Sequence, residues 1–506
     1  MGFMPRLFSK LLAVVCLLAA TSAAQAFSLA GPFAAWMRQE IGYQIGSDLS
    51  GPMNLGEEYR WNQPAITYAY DSSFLNYFGS NGVAAVEAAM KILNDIPSTA
   101  AMSVDLNEFP LDTRRVNYTA QALGLLDIKS FALSMMLEQL GVAVPERWVF
   151  TLRERLQIDN TFFYTVIRRN FDPVTLVPTS YVNGTLYTYT IQQNHIDPDI
   201  FEAVEVPVDP NVPSVTSVAS FVDSLNGTYD VGAASASQST GTFYSGLTRD
   251  DVGALRYLYR RQNYNVETLV GNPTLSSGVG IIGGGGSGSA GGAFESPFGS
   301  GGGGGDIWAP AVAPTNAAAG GGGGVGGAGA GGGGGLTVTN FARPLINTAL
   351  RPGVQKVNFV RVNYDSILGV VVNITNRIAD TYITNGVAIT QFVQLDTTQP
   401  DIIFSANDLG LVQELPVTYT RSINFVDQDA INGVEQLSGP GNIRGSTVLS
   451  FSDVGAWWIN EGIGSSEQSA IFVGPTWGFF DGSTNTPVIF PTGRSINDLE
   501  RAVLSR

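Results

Sequence analysis

Apolar residues in the first half of the chain recur at two periods. Val83, Val86, Met90 and Leu93 fall three and four apart, which puts them on one face of a helix; Ser80 or Asn81 can cap its start, and Pro97 stops it. Ile128 to Leu140 repeats the pattern, with Ile128, Phe131, Met135 and Met136 on the apolar side and Gly141 as the stop. Pro145 suits the first turn of a third helix. In the last one, Thr248 and Asp251 have capping-box spacing, and Val252, Leu255 and Leu258 form a buried stripe. Elsewhere the period shortens to two. Ile66 to Tyr70 reads as a strand alternating between outward and inward positions. Residues 162–208 are strand-rich, and their clearest feature is a hairpin: Tyr181-Val182, the tight turn Asn183-Gly184, then Thr185 to Thr190.

From Gly278 to Gly335 both periods vanish. This tract is almost all glycine, broken by the island Asp306-Ile307-Trp308. Glycine has the most backbone freedom to lose on ordering and no side chain to bury in return, so the tract predicts a flexible tether. A coil of about 58 residues spans roughly 40 Å root-mean-square. No strand leads into its G-x-G-x-x-G matches and no helix follows them, so they are not a nucleotide loop. Ordered polyglycine packing stays open as an alternative. Beyond the tract, β-prone runs come at short intervals: Leu336 to Thr339, Lys356 to Val362, Leu368 to Thr375, Val387 to Leu395, Asp401 to Phe404, Leu415 to Phe425, Ser446 to Phe451 and Ala470 to Val473. Their spacing predicts an all-β domain, sandwich or jelly-roll-like. Val357 and Phe359 keep one phase while Val360 and Val362 take the other, which predicts a bulge or a doubly buried strand. A short helix is expected from Ser495 to Leu504. The division read from these patterns is a leader over 1–26, an α+β domain over 27–270, a Gly-rich linker over 271–335 and a β-rich domain over 336–506.

Composition narrows the class. Of 506 residues, 44% are hydrophobic and 14% charged, enough apolar material for sizeable cores, and the formal net charge is −16. That charge opposes nucleic-acid phosphates and anionic membrane surfaces alike. Arg6 and Lys10 precede an apolar stretch, Leu11 to Ala20, which is too short to span a bilayer; Ala24-Gln25-Ala26 then has the small-x-small form of a cleavage site. The segment reads as a secretory signal, with Phe27 starting the mature chain. The one cysteine, Cys16, lies inside it, so the mature chain is expected to carry no disulfide, cysteine nucleophile or cysteine-held metal. No later stretch reads as a membrane span. The final location, at periplasm, cell surface or outside the cell, is left open.

Three segments in order carry a family resemblance: the strand ITYAYD (66–71), the helix VAAVEAAMKILNDIP (83–97) and the terminal helix LTRDDVGALRYLY (247–259). Together they resemble the catalytic domain of matrixin-type zinc peptidases, a metzincin scaffold. The resemblance implies an α+β fold and, in an intact member, a zinc held by H-E-x-x-H and a third histidine. Here the chain departs from the pattern. It has one histidine, His195, and the nearest helical echo is Leu137-Glu138-Gln139-Leu140-Gly141, where Glu138 stands at the general-base position and Leu137 and Gly141 at the ligand positions. Zinc and peptidase activity are therefore not carried over, and Glu138 reads as a solvated helix residue.

Other constellations have plain readings beside their chemical ones. His195, Asp197 and Asp199 alternate and could chelate a surface cation, or form a polar loop; no G-x-S-x-G elbow presents a serine to His195. Trp457-Trp458-Ile459-Asn460-Glu461 could bind or cleave a sugar, though a second carboxylate is not assignable and tryptophans packed on a sheet account for it too. Asp427-Gln428-Asp429 with Asn432-Gly433 echoes a calcium loop but misplaces its glycine. Arg256, Arg260 and Arg261 read as the basic end of the last helix. No catalytic, cofactor-binding or metal residue is assigned. The expectation is an exported non-catalytic protein with a structural, adhesive or binding role and an extracellular protein or glycan as partner. A divergent secreted metallopeptidase, or a carbohydrate-binding or glycosidase-like protein using Trp457, Trp458 and Glu461, stands as the alternative.

Overall fold

Strand Ala65–Tyr70 sits in the middle of a four-stranded sheet whose other three strands come from beyond the glycine tract. Asn358–Arg361 runs parallel along one side, with Asn358 opposite Ala65. Ile402–Ser405 runs parallel along the other, with Tyr70 opposite Phe404, and Thr447–Ser450 lies outside it, again parallel. A strand with parallel neighbours on both sides is covered on both faces. That is why Ile66 to Tyr70 does not alternate as its sequence suggests: Ile66, Thr67, Tyr68, Ala69 and Tyr70 are all buried. The computed structural model describes residues 25–31, 36–37, 41, 53–159, 161–193, 199–213, 216–221, 240–269, 272–275, 345–365, 370–371, 374–406, 417–419, 423–426, 434–437, 441–443, 447–451, 476–491, 495 and 497.

The helices follow the apolar periods closely. Helix α1 (Ser72–Asp95) begins where Asp71 accepts from the Phe74 N–H at 2.9 Å, and it is broken at Gly79 (φ 58°, ψ −158°). The part after that break is the one the apolar spacing predicts, with Val86, Met90 and Leu93 buried and the end just before Pro97. After the short α2 (Tyr118–Ala122), helix α3 (Ile128–Gln139) starts at Asp127, which accepts from the Ser130 N–H and hydroxyl. It ends as expected at Gly141, at φ +98°. Helix α4 (Arg249–Tyr259) has both halves of the Thr248/Asp251 capping box. The hairpin at Asn183-Gly184 is also as predicted: Val182 pairs with Thr185, and both turn residues have positive φ, as a tight hairpin turn requires. The helix expected at Pro145 is instead a turn. Glu146 accepts there from the Thr216 and Ser217 N–H groups at 2.8 and 2.7 Å, which ties the chain to a distant segment before a helix can propagate.

Strands on the two sides of the tract share three sheets. Besides the parallel one, a five-stranded antiparallel sheet has the order Tyr264–Thr268, Thr348–Pro352, Ile374–Thr384, Val387–Thr397 and Asn272–Leu275. Leu125–Asp127 pairs in parallel with Thr476–Phe479, which also pairs with Val488–Ile489. The main core is correspondingly joint. The Phe451 ring lies 5.7 Å from Phe74, 5.3 Å from Phe131 and 5.6 Å from Trp477, and Phe78 lies 5.1 Å from Phe490.

This corrects the division into an α+β domain over 27–270 and a separate β-rich domain over 336–506. One compact unit comprises Met1–Gly283 together with Asn347–Arg506, and Gly284–Ile346 is the other. The class is mixed, with few helices and many strands in several sheets, and the described strands after the tract do not stand apart as a sandwich of their own. Periodicity reads a segment's local preference and not its partner, and parallel strands can be joined by long crossovers. The mixed phase of Val357 to Val362 resolves as an edge strand: Phe359 is buried while Val360 is exposed. Of the runs expected after the tract, Leu336 to Thr339 and Ala470 to Val473 lie outside the described residues, as does nearly all of Ser495 to Leu504. No helix of the described residues is long and apolar enough to cross a membrane.

Candidate functional site

In an intact member of the family that the sequence resembles, the chemistry would fall at the positions of Leu137, Glu138 and Gly141, at the end of α3. Every residue of this helix except Glu138 is buried, including Lys129, Ser130, Ser134 and Gln139. Its hydroxyls are committed: Ser130 donates to Asp127 and accepts from the Tyr244 N–H at 2.8 Å, and Ser134 donates to the Ala219 carbonyl at 3.0 Å. The Tyr259 hydroxyl donates to the Leu140 carbonyl at 3.1 Å. Leu137 is fully buried in the apolar core, and a side chain at Gly141 would meet the Tyr59 carbonyl oxygen at 2.2 Å. The ligand positions of the echo therefore hold an apolar side chain and a backbone contact. Glu138, half-buried, is the one α3 residue that reaches toward solvent, and it engages in interactions of its own. Among the described residues no group of three or more His, Cys, Asp or Glu side chains is placed to hold a metal ion.

Beside α3 lies a network of buried carboxylates that sequence reasoning missed. Glu146 collects the Thr216 and Ser217 N–H groups and the hydroxyls of Ser217 and Ser220. Asp251 accepts from the Thr248 N–H and hydroxyl at 2.9 and 2.5 Å and from the Val218 and Ala219 N–H groups at 3.1 and 3.2 Å. Asp250 accepts from the Asn183 N–H at 2.5 Å, and the Asn183 Oδ1 in turn accepts from the Asp250 N–H at 3.2 Å. Burial dominates their titration. Desolvation raises Asp250 well above the usual carboxylate range and Asp251 to about 6, against hydrogen bonds that favour the charged forms. The sequence signal in this network was Asp251, read with Thr248 as a capping box. These carboxylates staple residues 216–221 and the 183–184 turn to α4 and α3, which is a scaffolding task.

Among the described residues, exposed apolar side chains gather on one hairpin. Among the described residues, strands Thr151–Ile158 and Thr161–Ile167 pair only with each other, with a bulge between Leu152 and Glu154. Leu156, Ile158, Phe162 and Phe163, all around the turn of this hairpin, are between 41% and 53% exposed. Arg155 stacks over Phe162 and Phe201, 5.4 and 4.1 Å from their ring centroids, a cation–π arrangement that holds the base of the tip. The sequence reading took residues from Phe162 on as strand-rich but did not predict the partner strand Thr151–Ile158 or the exposed tip.

The other sequence candidates are scattered or undescribed. His195 and Asp197, Trp457 to Glu461, and Asp427 to Gly433 lie outside the described residues. The three arginines stand at the end of α4, Arg256 in its last turn, Arg260 at its C-cap and Arg261 just after, and their side chains go different ways. Arg256 donates to the carbonyls of Ser103, Val104 and Pro173; Arg260 stacks on Tyr257 at 4.8 Å, and desolvation lowers its pKa; Arg261 is exposed. No protein-family model, no curated protein and no solved structure matches this chain.

Proposed function

We propose that this is an exported protein without catalytic turnover, whose role is structural, adhesive or binding, and that its first half retains a matrixin-like scaffold adapted to that role. The observation that carries the reading is the use of α3 as core. Where a hydrolytic site needs ligands opening onto solvent, this helix offers Leu137 and Gly141, both packed against the protein. The scaffold part rests on the succession of strand Ala65–Tyr70, helix α1 and the box-capped α4. Export rests on the leader pattern of residues 1–26 and on the absence of cysteine after residue 26.

The hairpin of residues 151–167 supports the binding part. A two-stranded element with an apolar tip costs solvation free energy when left bare, so its exposure favours a contact with another surface. Phe162 and Phe163 present rings that suit an extracellular protein or the faces of a glycan. The test is to purify the protein, measure its zinc by mass spectrometry and assay hydrolysis of a mixed peptide library with and without a chelator. The expected result is no stoichiometric zinc and no turnover; hydrolysis that a chelator abolishes would overturn the reading.

A further inference from the structure

A cleft of about 240 Å³ opens between the loop after Trp61, the chain following α4 and the face of the five-stranded sheet. Its floor is made of charges that are already paired. Arg60 donates from Nε to Glu267 at 2.6 Å and from its other nitrogens to the carbonyls of Leu258, Asn263 and Arg351. Arg351 grips Asp380 with two donors, at 2.7 and 3.0 Å, and donates a third bond to the Glu267 carbonyl. The second oxygen of Glu267 accepts from Asn62 at 2.6 Å, and the second of Asp380 also accepts from Gln391 at 2.7 Å. Every carboxylate oxygen of the floor is therefore taken, and the cleft has no ligand set to offer a cation.

What remains unspent is on the donor side. Arg261 lines the cleft, is exposed, and has no partner among the described residues. The side-chain amides of Gln63 and Gln355 line it as well, and neither has a partner among the described residues. In the lining, Arg261 and Arg351 balance Glu267 and Asp380, and the fully buried Arg60, paired with Glu267, adds a positive charge behind the floor in a chain of net −16. A cleft with low-dielectric walls concentrates such a field. The wall is also rigid. Gln355 is held at φ +66° with its N–H on the Tyr259 carbonyl at 2.8 Å, and Gly353 lies so close to that backbone that a Cβ would meet the Tyr259 oxygen at 2.4 Å.

We infer that this cleft is a binding site for a small organic carboxylate, with the Arg261 guanidinium taking the carboxylate in its planar fork and the Gln63 and Gln355 amides reading a neighbouring hydroxyl or amide. Arginine is suited to this because its donors match the two carboxylate oxygens. The cleft's size fits a sugar acid or a dipeptide-sized acid, and both present that same chemistry. The inference deepens the binding role proposed above. Its failure would be distinguishable from the failure of that reading, because the hydrolysis assay reads α3 and the binding assay reads this cleft.

The experiment is isothermal titration of the purified full chain with D-galacturonate, with N-acetyl-alanyl-alanine, and with their uncharged counterparts, D-galactose and the dipeptide amide. Arg261→Ala and Arg261→Gln are titrated in parallel. The expected result is saturable binding of at least one of the two acids, at least tenfold weaker or absent for its uncharged counterpart, and at least tenfold weaker in both variants. Arg261 is exposed and makes no floor contact, so the variants are expected to melt with the wild type. Binding of only one acid identifies the source. No saturable binding of either acid overturns the inference. So does equal binding by the uncharged counterpart or by the variants, or an affinity for sulfate equal to that for the acids, which would mean an adventitious anion only.

Discussion

Expression of residues 27–275 alone would test the sharing of sheets and core across the glycine tract. In this fragment strand Ala65–Tyr70 loses the neighbour on each side, and Leu125–Asp127 loses Thr476–Phe479. The main core loses Phe359, Ile402, Phe404, Leu449, Phe451, Trp477 and Phe490, all buried. At about 2 kcal/mol for each buried side chain, these seven remove on the order of 14 kcal/mol. Net stabilities of whole domains are about 5–15 kcal/mol, so what remains cannot sustain a folded state. The expected outcome is a fragment with no cooperative thermal transition and no near-ultraviolet circular dichroism, while the full chain shows both. Co-expression with residues 345–506 is expected to restore them, because the missing strands and rings are then supplied in trans. A cooperative transition and dispersed amide resonances in the fragment by itself would refute the reasoning and restore the picture of two independent domains.

Other consequences can be measured on single variants. Gly141→Ala places a methyl 2.2 Å from the Tyr59 carbonyl oxygen at φ +98°; a cost of at least ~2–3 kcal/mol is expected in urea denaturation, and a variant within ~0.5 kcal/mol of wild type would show that this contact relaxes freely. Asp251 holds its proton up to about pH 6 when folded, against ~3.9 unfolded, so between those values the folded state binds more protons and stability rises as pH falls. Burial also raises Asp127, Asp250, Glu205, Glu267 and Asp401, while the lowered groups, Glu108 and Asp209, are exposed. The melting temperature should therefore climb from pH 6.5 toward pH 4.5; a steady fall over that interval would contradict the sign. Leu156→Ser with Phe163→Ser, at positions about half exposed, should each change stability by no more than ~0.5 kcal/mol, and a joint loss above ~2 kcal/mol would mean the hairpin tip is packed rather than bare.

Local chemistry was legible in the sequence and partnership was not. The apolar stripe of α4, its capping box and the Asn183-Gly184 turn depend on residues within a few positions of one another, so spacing alone specified them. The break at Gly79 (φ 58°) and the tight approach at Gly82, where a Cβ would sit 2.2 Å from the Phe78 Cβ, leave no trace in the apolar spacing. Periodicity marked the helix after that break without the turn before it. Ala65–Tyr70 looked half-buried because its sequence does not say that it lies inside a parallel sheet, whose flanking strands, with Phe359 opposite Ile66 and Phe404 opposite Tyr70, come some 300 residues on. Glu146 carried no signal at all. Its role rests on hydrogen bonds to residues 70 or more positions away, so the proline beside it was the stronger local cue and pointed to the wrong element.

The ends of the glycine tract are both fastened into one sheet, Asn272–Leu275 on its entry side and Thr348–Pro352 on its exit side. Whatever conformation the intervening residues take, they close a loop on a single body instead of bridging two. Doubling the length of a closed loop costs only about 0.6 kcal/mol, so insertions and deletions of glycine there should leave the fold nearly untouched. A protease that nicks the tract would not release a domain. It would yield a two-chain particle, migrating as one species in native conditions and separating only in denaturant.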